Sequence, residues 1–92
     1  MEKIILALRT LKVSIYPNPA NDVININFIA LELPVLNIQI YDMTGKLVKS
    51  IIIENMDIQK INVSDLNTGM YIFEFQNNAG ETLGHRKMMI LD

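Results

Sequence analysis

The chain contains no cysteine, no tryptophan and one histidine, with only four glycines and three prolines among 92 residues. The lack of cysteine removes both a disulfide framework and a thiolate zinc site. It suits an exported protein that avoids mispaired thiols, and equally a small intracellular domain. His85 has no second histidine to join it in a zinc site. Ser14, Ser50 and Ser64 sit in no nucleophile elbow and beside no glycine-rich oxyanion loop. Gly45, Gly69, Gly80 and Gly84 are too scattered to cradle a phosphate. A net charge of −2 gives nucleic acid no basic face to bind. No run reaches the ~18 apolar residues of a membrane helix. These absences lead us to expect no catalytic residue, no cofactor, no metal site, no nucleic-acid partner and no membrane insertion. The carboxylates lack EF-hand spacing, although loop oxygens leave a surface calcium open. Asn62-Val63-Ser64 matches a glycosylation sequon but falls in a predicted strand.

What the chain does have is apolar material. Half its residues are hydrophobic and the mean hydropathy is +0.24. A domain of this size buries only somewhat over ~60% of its unfolded surface. Some Ile, Leu or Met side chains are therefore expected outside, as in a module that meets a partner. The N-terminus has an apolar run from Ile4 to Leu8, shorter than the ~7–15 residues of a signal-peptide core and without a small-residue cleavage site. Residues 1–12 read as a linker or an expression remnant, with a short helix or an extra strand as alternatives.

Seven segments read as strands, over 13–16, 22–29, 36–42, 46–54, 58–63, 70–76 and 82–91, with period-two alternation as the main signal and a break at Leu47 and Ile51-Ile52-Ile53. Ile24, Ile26 and Phe28 share one face, as do Leu36, Ile38 and Ile40, Ile61 and Val63, and Tyr71, Phe73 and Phe75. Polar residues between them mark a wet face, which is the antiparallel pattern. Asp42-Met43-Thr44-Gly45 and Asn77-Asn78-Ala79-Gly80 carry the first- and fourth-position residues of type I turns. They predict hairpins over 36–54 and 70–91. The fold class is all-β: an immunoglobulin-like antiparallel β-sandwich of about seven strands over 13–92.

Three local patterns punctuate these strands. In Tyr16-Pro17-Asn18-Pro19-Ala20 the prolines remove two backbone donors, so the segment cannot be a central strand. A stiff extended crossover between two sheets is the expected role. Leu66-Asn67-Thr68-Gly69-Met70-Tyr71 fits a tyrosine corner, with the hydroxyl bonded to backbone a few residues upstream. Gly69 is expected to hold a conformation closed to bulkier residues. Gly84 to Leu91 sets positive charges before four apolar residues. Alternation sends Met88 and Ile90 inward and Met89 and Leu91 outward, with His85 half-exposed. Methionine adapts well at recognition surfaces, while a lysine on an edge strand also guards against aggregation.

Taken in order, Tyr16 to Ala20, Ile40 to Lys46, Leu66 to Tyr71 and Lys87 to Leu91 resemble the motifs of the C-terminal sorting domain of the type IX secretion system. The resemblance covers residues 13 to 91. It implies a small β-sandwich that serves as a secretion signal for a cargo protein. The implied partners are the secretion translocon, an outer-membrane shuttle protein and a sortase. The implied route runs through the periplasm to the cell surface or beyond. Candidate recognition residues are Lys87, Met89 and Leu91. Tyr16, Pro17, Asn18, Pro19, Asp42, Gly45, Leu66, Gly69 and Tyr71 are candidates for structural roles. The alternative is an immunoglobulin-like adhesion or spacer module. Sugar binding favours exposed Trp or Tyr platforms; tryptophan is absent, and Tyr41 is the one tyrosine expected on a wet face.

Overall fold

A computed structural model describes residues 12–30, 35, 37–53 and 59–91. Residues 1–11, and with them nearly all of the expected linker, lie outside the described residues, as does Leu36. Seven strands follow in order: β1 Lys12–Tyr16, β2 Val23–Ala30, β3 Asn37–Asp42, β4 Leu47–Ile52, β5 Gln59–Asn62, β6 Gly69–Gln76 and β7 Thr82–Ile90. Each lies within a residue or two of its sequence-predicted span. They form two antiparallel sheets, one ordered β1-β2-β5 and the other β4-β3-β6-β7. In the constant immunoglobulin domain the fourth strand joins the first sheet; here it pairs with β3 in the second.

Period two decides which side chains meet between the sheets. Ile24, Ile26 and Ile61 from the smaller sheet face Ile38, Ile40, Phe73, Phe75, Met88 and Ile90 from the larger, and all are buried. Phe28 reaches across so that its ring meets that of Phe75 edge-on at 6.2 Å. Such a pair adds about 0.5–1.5 kcal/mol beyond the area it buries. The alternation predicted for these strands is therefore the core itself. Its exposed complement is also present, with Ile52 77%, Met43 57% and Leu47 48% exposed.

Both predicted hairpins form, and their turns share one mechanism. The Gly45 amide donates to the Asp42 carbonyl at 3.0 Å, and the Gly80 amide to that of Asn77 at 3.1 Å. Gly45 has φ of 88° and Gly80 of 81°, the left-handed region where a Cβ is penalised. Asp42 and Asn77 then satisfy the turn amides with their own side chains. Asp42 Oδ1 accepts from Thr44 N at 2.9 Å and from Lys46 N at 3.0 Å. Asn77 Oδ1 accepts from Ala79 N at 2.9 Å and from Glu81 N at 3.0 Å.

Two expectations are corrected. Residues 17–22 do not cross between sheets, because β1 and β2 are antiparallel neighbours in one sheet. They form a hairpin loop whose outer side bonds to β7 of the other sheet. Proline removes donors at 17 and 19 but leaves the amide of Ala20 and the carbonyl of Ala20 for that edge. Gly69, secondly, is not in the left-handed region. A Cβ there would meet only the Tyr71 ring, at an ordinary 3.9 Å.

Candidate functional site

The strand order brings the sequence motifs together. Tyr71 pairs with Asp42 on one side and with Met88 on the other. The β3–β4 turn, the start of β6 and the end of β7 therefore lie at one end of the larger sheet. Val23 pairs with Asn62, which brings the 17–22 loop and the β5–β6 connection to the same end. Motifs scattered from residue 16 to residue 91 thus share one pole of the sandwich. Lys12, where the described chain begins, lies at the other. The eight residues of β6 put the two poles about 25 Å apart, at roughly 3.3 Å per residue.

The second and third motifs meet where Asp42 pairs with Tyr71. The Tyr71 hydroxyl donates to the Asn67 carbonyl at 2.7 Å, which completes the expected tyrosine corner. Leu66, 7% exposed, seats the corner in the core. Lys49 Nζ bridges to Asp65 Oδ2 at 3.1 Å. A hollow of about 400 Å³ opens between Asp42 and Lys46 on one side and Asp65, Asn67 and Tyr71 on the other. The Thr44 hydroxyl, at 2.6 Å, and then the Lys46 amide hold the Asp42 carboxyl below the usual carboxylate range. The hydrogen bond from Lys49 does the same for Asp65.

The first motif and the last strand make a second hollow, of about 490 Å³, lined by Pro17, Pro19, Ala20, Asn21 and Leu91. Three hydrogen bonds join them. Ala20 N donates to the Met89 carbonyl at 2.9 Å, and Leu91 N donates to the Ala20 carbonyl at 2.7 Å. Met89 N donates to Asn18 Oδ1 at 3.1 Å. Both X-Pro bonds of the loop, Tyr16-Pro17 and Asn18-Pro19, are cis.

The alternation of β7 runs as predicted. Met88 and Ile90 are buried, Met89 is half-buried, Lys87 is exposed and Leu91 is 45% exposed. The outer face of the larger sheet divides into two halves. Away from the motif pole it is mostly polar, with Ile52 beside Asn37 as an exposed apolar exception. Glu74 accepts there from Gln76 at 2.8 Å and from Tyr41 at 3.4 Å, and pairs with His85 at 3.2 Å. Partial desolvation, and then the Glu74 carboxylate, hold the Tyr41 phenol above its usual range. Toward the pole the face turns apolar. Leu47, Tyr41, Ile72 and Lys87 form one cross-strand row, with Met70 and Met89 beside it. Sequence reading missed Met70, Ile72 and Leu47 as members of this surface. For Met70 and Ile72 the signal was their parity, opposite to Tyr71, Phe73 and Phe75; Leu47 shares the parity of Ile51 and turns outward only through the register shift opposite Ile40 and Tyr41. Tyr16, at 41% exposed, is more open than the half-buried Tyr41, so the expectation that Tyr41 alone would face water is corrected.

Among the described residues, no group of three His, Cys, Asp or Glu side chains is placed to hold a metal ion. The motif pole of this small β-sandwich offers shape, apolar area and the lysines Lys46, Lys49 and Lys87. A family model for the secretion system C-terminal sorting domain matches residues 14–91, and the chain belongs to that family. No curated protein and no solved structure matches the chain. Membership makes this domain a sorting signal for type IX secretion, which sends proteins across the outer membrane to the cell surface or the extracellular space. It implies interaction with the type IX machinery, and the family is not a catalytic one.

Proposed function

We propose that the secretion machinery reads this domain at the motif pole, through the outward side chains of Lys87, Met89 and Leu91 and the apolar surface beside them. The observation that carries this reading is the convergence. Four motifs far apart in sequence meet at one pole, and the last strand ends there with Leu91 45% exposed. Tyr16, Pro17, Asn18, Pro19, Asp42, Gly45, Leu66, Gly69 and Tyr71 build the frame that holds this end of β7. The domain acts as a ligand and not as an enzyme. Its readers are the translocon and an outer-membrane shuttle protein, reached from the periplasm. A sortase then acts on the chain ahead of the sandwich.

A reporter with an export signal, fused ahead of this chain, tests the reading in a host that has the type IX system. The reporter is expected at the cell surface, and deleting residues 87–92 is expected to strand it in the periplasm. The deletion removes the proposed contacts and also opens the β6 edge that β7 covers. Normal display from the truncated fusion would contradict the proposal and leave the adhesion module in its place.

A further inference from the structure

β7 lies at the edge of the larger sheet among the described residues, and its far side is engaged near its end. From Met89 to Leu91, the outward backbone atoms bond to the 18–20 loop, which lies parallel to the strand at Ala20 and Ile90. Two of the three bonds are backbone to backbone, and many residue types at 20 could make them. The third depends on a side chain: Asn18 Oδ1 takes the Met89 amide at 3.1 Å. Asn18 is itself exposed, between two prolines that cannot donate. An exposed asparagine committed to a backbone amide 71 residues away is not explained by local turn chemistry.

We infer that the Pro17–Ala20 loop is a latch and that Asn18 is its positioning residue. The latch closes the strand edge at Met89 and Leu91, so a partner cannot add a strand there and must read side chains. It also fixes the direction of the last strand residues, turning the Met89 and Leu91 side chains away from the core toward the outer surface and the hollow beside Pro17 and Pro19. This inference rests on the proposed reading of β7 by the secretion machinery. It adds a residue that touches no partner and yet sets how the signal is presented.

The test uses the full 92-residue chain with Asn18→Ala, which removes the acceptor, and Asn18→Asp, which keeps one. Amide hydrogen exchange of the purified chain reads the latch itself. Asn18→Ala is expected to speed exchange at Met89 by about two- to tenfold, the loss of one net hydrogen bond, with exchange in β2 and β3 unchanged. The same variant, fused behind the exported reporter, is expected to display less of it at the cell surface. Asn18→Asp is expected to restore both protection and display. Unchanged exchange at Met89 in Asn18→Ala would overturn the latch. So would faster exchange with full display, because presentation would then not depend on it. Failure of the underlying reading shows separately: a fusion carrying Met89→Asp and Leu91→Asp with the latch intact would display normally.

Discussion

The glycines give the sharpest test of how local geometry sets stability. Gly45 and Gly80 sit at φ of 88° and 81°, and no atom lies within 4 Å of where either Cβ would go. The cost of Gly45→Ala is therefore conformational and not steric. A left-handed residue with a Cβ costs roughly 1–2 kcal/mol. The alanine chain recovers about 0.4–1 kcal/mol through a less flexible unfolded state only where its native conformation is unstrained, which position 45 does not provide. Gly69 is the control. Its backbone is unstrained and its added Cβ meets Tyr71 at 3.9 Å, ordinary contact, so Gly69→Ala is expected to be neutral or stabilising by up to about 1 kcal/mol. Urea melts of the three proteins give the comparison directly. In heat, each kcal/mol amounts to about 4–8 °C for a domain of this size. A Gly69→Ala loss as large as that of Gly45→Ala would refute the reasoning and restore a strained corner.

Other outcomes follow from single contacts. Tyr71→Phe is expected to cost about 0.5–1.5 kcal/mol in a urea melt, since it removes the hydroxyl that donates to the Asn67 carbonyl at 2.7 Å. Phe73→Ala is expected to cost about 3–5 kcal/mol, because Phe73 is fully buried between the sheets; a smaller loss would mean that the sheets collapse onto the gap. The carboxyls of Asp42 and Asp65 are held below their usual range in the folded chain. Their contribution is therefore present above about pH 4 and fades as pH falls through the lower folded values. Melts between pH 5 and pH 2 should lose stability toward acid, and Asp42→Asn should make that slope shallower.

Much of the fold was legible because its signal is local. The alternation of Ile24 with Ile26, of Ile38 with Ile40 and of Phe73 with Phe75 names strand, face and core together. Asp42 with Gly45 and Asn77 with Gly80 name the hairpins. What was not legible is pairing across the chain. Nothing local to Asn18 says that its amide oxygen meets Met89, so the proline segment read as a crossover when it is a loop clasped to the other sheet. Gly69 misled for a related reason. A glycine before a corner tyrosine suggests a left-handed backbone, but that conformation sits at Gly45 and Gly80, where the hairpins turn. The outer surface was half legible. Lys87, Met89 and Leu91 follow from parity along one strand, whereas Met70, Ile72 and Leu47 join them only through the order β4-β3-β6-β7.

The most direct test of the central claim compares two charge-matched pairs in the exported reporter. Met89→Asp with Leu91→Asp places two carboxylates on the proposed recognition end of β7. Asn25→Asp with Asn27→Asp places two on the outer face of β2, on the opposite sheet. Both pairs leave the core untouched, and Asn25→Asp gives up only the long 3.4 Å bond from its Nδ2 to the Tyr16 carbonyl, so both purified chains should melt close to the parent. The measurement is the ratio of reporter at the surface to reporter in the periplasm. Loss of display from the β7 pair, with display kept by the β2 pair, is the result expected. Equal display from both pairs would contradict recognition at the motif pole.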